Sequence, residues 1–318
     1  MKRIKHLLVL GSIVMIGLLG ACSAPDKPLR VALLEWPPYE LAFWAREQGW
    51  IKPEVARLLE YKTPAEVTRA FASGAVDIIA VTTDFALTLS DQFPETRIFM
   101  VIDASNGADV VLSKAPVAGK EDLVGKTLAV EAGPLGTYML TRFRDHYQLS
   151  KDDLKVEYVD LPAQVENWRD TDVDLTITYE PYRSRMLALG ATEIFTSRQI
   201  PNEIVDVFLV REHLLKERKA DLKAFAKAWF RAVEDLKQGK EELFAFIGER
   251  ESMSADDIKY VLNNDISVPD YTQNLQLLRG EDPSFFNGLK RNESIMLKEG
   301  MIKSNINHKA LVTAELIE

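Results

Sequence analysis

Short runs of continuous apolar residues alternate along this chain with stretches whose apolar positions recur every three to four residues. Leu29-Arg30-Val31-Ala32-Leu33-Leu34 reads as a first strand that ends in the loop Glu35-Trp36-Pro37-Pro38-Tyr39. Leu41, Phe43, Trp44 and Ala45 have helical spacing that stops at Gly49. Thr63-Pro64-Ala65-Glu66 predicts a helix start, with Thr63 as cap, Pro64 in the first position and Glu66 closing a capping box. Val76–Val81, mostly β-branched, predicts a buried strand and Arg97–Ile102 another, and after Asp109-Val110-Val111-Leu112 the character of the chain shifts. Leu128–Glu131 is a strand followed by the turn Ala132–Gly136 and a helix from Thr137 to about His146. Lys155–Val159, Asp174–Thr178 and Ile204–Val210 are further strands. From Glu212 onward the pattern is mainly helical, with Leu222–Leu236 the clearest amphipathic stretch. Repeated strand-then-helix units predict an α/β fold with largely parallel sheets.

Composition narrows the class. With 318 residues, 47% apolar and 27% charged, the chain is neither disordered, collagenous nor a polytopic membrane protein. A net charge of −9 fits nucleic-acid binding poorly. The four histidines are scattered and Cys22 is the single cysteine, which excludes intrachain disulfides and any CxxC site; no metal and no cofactor are expected. Gly125-Lys126-Thr127 looks like the end of a P-loop, but the required upstream glycine position holds Lys120.

Lys2, Arg3 and Lys5 precede an apolar run from Leu7 to Ala21, too short to span a bilayer and suited to a signal-peptide core. It ends Leu19-Gly20-Ala21-Cys22, which resembles a bacterial lipobox. The expectation is a signal segment over 1–21, lipidation of Cys22 and a tether over 22–28. A free cysteine after an ordinary secretory signal is the plainer reading, but it leaves the position of the chain's one cysteine unexplained. Two or more acyl chains anchor stably, at about 0.8 kcal/mol per buried methylene. The expected location is the cell envelope, on the periplasmic side of the inner or outer membrane or on the outer face of a Gram-positive cell.

An ordered set of motifs carries a family likeness. It comprises the aromatic loop after the first strand, Ser73-Gly74-Ala75-Val76-Asp77-Ile78, Thr82-Thr83-Asp84, Asp103-Ala104-Ser105-Asn106-Gly107-Ala108-Asp109, Asp122-Leu123-Val124-Gly125-Lys126-Thr127, Val130-Glu131-Ala132-Gly133, Tyr179-Glu180-Pro181 and Asp206–Arg211. Together these resemble the substrate-binding proteins of ABC importers, in the group that handles nitrate, alkanesulfonates, taurine and thiamine-pyrimidine precursors. The resemblance covers about residues 29–240. It implies a type II-like periplasmic binding protein fold: two α/β lobes, two chain crossings and a ligand cleft between the lobes. Lobe 1 is expected over 29–110 plus 208–318 and lobe 2 over 111–207.

Candidate ligand-binding residues follow from their places at strand ends and crossings. Trp36 and Tyr39 are placed to stack on a flat or cationic ligand; the bland reading is that they plug the loop onto its own lobe. Thr83 and Asp84 open a helix, where they contact a polar ligand atom or merely cap. Ser105 and Asn106 precede the first crossing, with hinge packing as the alternative. Gly136, Thr137 and Tyr138 open a helix whose N-terminus attracts oxygen. Tyr179 and Glu180 end a strand; Glu180 receives a ligand N–H or pairs with Arg183 or Arg185. Asp206 lies near the second crossing, where a hinge hydrogen bond is the alternative.

Glu35, Asp84, Asp103, Glu131, Glu180 and Asp206 crowd these positions while basic residues are nearly absent. Buried like charges repel by several kcal/mol, so the expected ligand is a small neutral or cationic nitrogen-bearing molecule, with a sulfonate or taurine as the alternative. The expected role is a lipid-anchored, monomeric solute-binding protein, partnered by an ABC permease and ATPase. The rival role is a ligand-sensing subunit of the same fold that regulates a membrane signalling protein. No motif argues for catalysis, and no enzyme is expected.

Overall fold

The computed structural model describes residues 27–318. The signal segment, Cys22 and the tether apart from Lys27 and Pro28 lie outside the described residues.

The chain lays down β1 (Leu29–Leu33), α1 (Glu40–Glu47), β2 (Ala56–Glu60), α2 (Pro64–Ala72), β3 (Ile78–Thr82), α3 (Thr83–Gln92) and β4 (Thr96–Ser105). It then builds β5 (Asp109–Ser113), β6 (Thr127–Val130), α4 (Pro134–Tyr147), β7 (Lys155–Tyr158), α5 (Gln164–Asp170), β8 (Leu175–Tyr179), α6 (Tyr182–Leu187) and β9 (Thr192–Thr196). It returns with β10 (Val205–Arg211), and adds α7 (Glu212–Glu217), α8 (Lys219–Lys237), α9 (Glu241–Glu251), α10 (Ala255–Asn264), the short β11 (Ile266–Ser267), α11 (Tyr271–Arg279), α12 (Ser284–Lys298) and α13 (His308–Leu311).

Two mixed sheets result, one in the order β11-β4-β10-β3-β1-β2 and the other β7-β6-β8-β5-β9. The chain crosses between them twice, after Ser105 and after Thr196. Asp109 and Val110, expected in the first lobe, pair within the second sheet, and Val205–Val207 pair within the first. The central strands of the first sheet are covered on both faces, which is why Ile78–Val81, Ile98–Ile102 and Val207–Val210 read as unbroken apolar runs.

The expectation of largely parallel sheets needs correction. β10 runs antiparallel to β3 and β4, and β5 runs antiparallel to β8 and β9. Each is the first strand laid down after a crossing, so it begins where its neighbours finish: Val205 faces Ala104, Asp206 faces Thr82, and Asp109 faces Tyr179. The sequence reading also passed over β2 and β9. Both are sheet-edge strands with partly exposed, charge-bearing patterns that weaken the apolar signal.

Local chemistry agrees with the frame. Thr63 accepts from the Glu66 amide while the Glu66 carboxylate accepts from the Thr63 amide, which forms the expected capping box. On α8, Leu222, Phe225, Ala226, Trp229, Val233 and Leu236 are buried at helical spacing, and the helix packs on α1. Trp44 Nε1 donates to Asp235 across that contact at 2.9 Å. α11 and α13 pack on β4, whereas α12 packs on both α3 and α4 and so touches both halves.

Candidate ligand-binding site

The end of β1 sets the first wall. Trp36 is extended, and Pro37 in the first turn position fixes the backbone of a short 3₁₀ turn over Pro37–Tyr39. Both rings are thereby directed to the carboxyl edge of the sheet. Trp36 Nε1 donates to Asp103 at 3.1 Å, and the Tyr39 hydroxyl donates to Asp206. From the opposite sheet Tyr179, at the end of β8, meets Trp36 edge to face, with ring centroids 5.8 Å apart. Such pairs contribute roughly 0.5–1.5 kcal/mol beyond area burial.

Between them lies a cavity of about 440 Å3 including its open mouth. Its apolar walls come from Trp36, Tyr39, Phe85, Leu135, Tyr179 and Ile204, and its polar lining from Glu35, Thr82, Asp109 and Asp206. Among the described residues, no lysine, arginine or histidine lines it. Only about 40 Å3 is free inside, little more than one water's share of liquid volume (~30 Å3). A narrow recess with only about 10 Å3 free inside adjoins it, shares Asp109, Leu135 and Tyr179, and is lined also by Glu131 and Gly136. A Cβ on Gly136 would stand 2.1 Å from the Glu131 carbonyl oxygen, so only glycine lets α4 start this close to the sheet.

The electrostatics are those of crowded, buried acids. Asp103 and Asp206 are register partners on β4 and β10. Burial raises both, and each is raised further by a neighbouring carboxylate: Asp103 to about 8, with Asp109 adding to it, and Asp206 well above the carboxylate range, with Asp103 adding to it. Burial also lifts Asp109 to about 7, Glu131 to about 7 and Asp84 to about 6. Asp206 Oδ1 and Asp84 Oδ2 are buried without a hydrogen-bond partner. Among the described residues, no set of three or more His, Cys, Asp or Glu side chains is arranged to hold a metal ion.

The candidate residues divide between wall and scaffold. Trp36, Tyr39, Tyr179 and Asp206 line the main cavity and Gly136 lines the recess. Asp84 lies behind the wall; its carboxylate accepts from the Thr82 hydroxyl and the Phe85 amide. Thr83 is buried against Asn292. Ser105 sits 2.8 Å from the Ser197 hydroxyl and accepts from the Asp109 amide, while Asn106 is exposed at the crossing. Thr137 is half-buried on α4 and lines neither space, and Tyr138 donates to Glu203 at 2.6 Å. Glu180 is wholly buried and engaged by Arg183 at 2.7 Å and by Ser184, the pairing that the sequence offered as its bland reading. Arg183 continues to Asp265 beyond the crossing.

Sequence reasoning did not single out Asp109, Phe85, Leu135 or Ile204 as site residues. Asp109 carried a usable signal: a carboxylate opening the apolar strand Val110-Val111-Leu112 next to a crossing. The three apolar residues carried none that distinguishes them from core.

The comparisons with known proteins agree with this architecture. The taurine-binding periplasmic protein of Escherichia coli K12 is 24% identical over 173 residues, 53% of each chain, so the match spans about half of that relative's length. The aliphatic sulphonate binding protein SsuA of Escherichia coli superposes with a TM-score of 0.72 at 13% identity, covering 91% of this chain and 92% of that one. A desulfurization enzyme, DszB, superposes at 0.69 with 14% identity, covering 92% and 98%. One architecture thus carries a binding protein and an enzyme, and chemistry has to be argued from the site. The NMT1-like family model matches residues 23–244, and the chain belongs to that family.

Proposed function

We propose that this chain is an extracytoplasmic solute-binding protein that delivers a small nitrogen-bearing molecule to an ABC importer. The observation that carries the reading is the ring-walled cavity between two sheets, whose unpaired acids are Asp109 and Asp206; a third acid, Glu35, is already matched by Arg185, and among the described residues no lysine, arginine or histidine lines the cavity itself. Buried carboxylates are satisfied by N–H donors or a cation and repel an anion. The rings of Trp36, Tyr39 and Tyr179 suit a flat or cationic body. Trp36, Tyr39, Asp109, Tyr179 and Asp206 are the assigned contacts, and Thr83, Asp84, Ser105, Asn106, Tyr138 and Glu180 are assigned to the scaffold. The two lobes divide at the crossings near residues 106–108 and 197–204, and hinge closure buries the solute. The body is monomeric, binds without turnover and is held to the envelope by lipid on Cys22.

A sulfonate or taurine ligand is the second reading, favoured by the taurine-binding relative and by the α4 N-terminus beside the recess. Calorimetry with an aminopyrimidine, a polyamine and taurine separates the two. Micromolar or tighter binding of an amine without a sulfonate supports the first reading; tight taurine binding with no amine response overturns it. Incorporation of labelled palmitate, abolished by Cys22→Ser, tests the anchor.

A further inference from the structure

Away from the edge-to-face pair of Trp36 and Tyr179, the mouth of the cleft carries a second set of contacts between the halves. Glu35 follows β1 and lines the main cavity. Both of its carboxylate oxygens are taken by α6 of the opposite half: Arg185 Nη2 approaches Oε1 at 2.7 Å and the Tyr182 hydroxyl donates to Oε2 at 2.9 Å. The same Arg185 nitrogen donates to the Glu251 carbonyl at 2.9 Å. Glu251 is the last residue of α9, which packs on α1 beside the first sheet, so this is the negative end of a helix dipole. The Arg185 guanidinium also lies 4.9 Å from the Tyr182 ring centre, which holds the two side chains as a unit.

Acids of the first half crowd this patch, where burial and their mutual repulsion lift Glu251 well above the usual carboxylate range and Glu40 to about 7. Glu40 and Glu251 are buried beside Glu35, and both Glu251 carboxylate oxygens lack a hydrogen-bond partner. Arg250 is the first half's own cation at this patch, and it serves Glu40 and the exposed Glu60. Arg185 brings the second positive charge from across the cleft. Opening the cleft breaks the Glu35 ion pair and the contact with the Glu251 carbonyl together.

We propose that Arg185, with Tyr182, clasps Glu35 across the cleft mouth and is a positioning residue for closure over the solute. The purpose rests on the solute-binding reading; the clasp itself rests on the contacts.

The test therefore needs no ligand. Hydrogen exchange by mass spectrometry on the full-length protein compares Arg185→Met, Arg185→Lys and Glu35→Gln with the parent. Arg185→Met and Glu35→Gln each speed exchange about three- to tenfold in cleft segments 34–39 and 177–181. Segment 56–60, on the far edge of the first sheet, stays as protected as in the parent, and Arg185→Lys restores part of the protection. The double variant opens no further than either single one. If Arg185→Met fails to fold, Tyr182→Phe removes one hydroxyl and gives a smaller change, about twofold, in the same segments. Unchanged cleft exchange, or additive effects of the two single variants, overturns the clasp. A screen in which aminopyrimidine, polyamine and taurine all fail to bind overturns the solute reading and leaves this result intact.

Discussion

Asp103 and Asp206 face each other directly on adjacent antiparallel strands, both buried, with the Trp36 indole donating to one and the Tyr39 hydroxyl to the other. Like charges directly opposite on a sheet destabilise it, so the pair holds protons that free carboxyls release.

The first prediction is a stability that falls with pH. An unfolded aspartate titrates near 3.9, whereas Asp103 is raised to about 8 and Asp206 is raised as well. Between about pH 4 and pH 8 the native state binds more protons than the unfolded chain, so this pair's contribution declines as pH rises through that window. Asp206→Asn removes the repulsion. It is expected to melt above the parent at about pH 8, by roughly 1–2 kcal/mol or on the order of 2–5 °C, and level with it at about pH 4. Scanning calorimetry at the two pH values decides; a gain at pH 4 alone contradicts the sign.

Solute uptake carries the same linkage. A cation or N–H donor binds the deprotonated cluster, so its affinity climbs roughly tenfold from about pH 6 to about pH 8.5, with protons released. Calorimetry in two buffers of different ionisation enthalpy measures the release. An anionic ligand gives the opposite slope.

Trp36 joins the ring wall to the acid pair. Trp36→Ala removes the edge-to-face contact with Tyr179 and the bond to Asp103 together, and is expected to weaken binding about 10- to 100-fold by titration calorimetry. Trp36→Phe keeps a ring and loses only the donor, and falls between the two.

Gly136→Ala places a Cβ where the Glu131 carbonyl oxygen stands. The cost is about 1–3 kcal/mol, read as a lower urea midpoint at an unchanged m-value.

Glu180→Ala strips Arg183 of one of its two buried partners and leaves Asp265 and the partly exposed Glu193. A loss of about 3 kcal/mol in urea unfolding is expected. The affinity of the protein that remains folded is expected within about threefold of the parent.

Much of the frame was legible in the sequence because continuous apolar strands and the Thr63–Glu66 cap are local signals. Reversed β10 and β5 were not legible, since direction depends on which edge a returning chain meets. At the site, Trp36 and Tyr39 stood out as rings in a strand-end loop, and Asp206 stood out as an acid at a crossing. Glu180 and Tyr138 carried equally strong type signals. Whether Glu180 faces a cavity or Arg183, and Tyr138 a cavity or Glu203, is settled by partners 3 and 65 residues away.

The Ser105–Ser197 hydroxyl contact joins the outgoing and returning connectors at 2.8 Å. Under the hinge closure proposed above, connectors tied together there form one pivot, which gives little travel at the base and wide travel at the rim. Trp36 and Tyr179 ride on different jaws and part at once, whereas Asp103 and Asp206 share a jaw and keep their spacing throughout. Under the proposed solute-binding role, a guest held by Asp206 stays with one jaw while Asp109 and Tyr179 withdraw from it with the other.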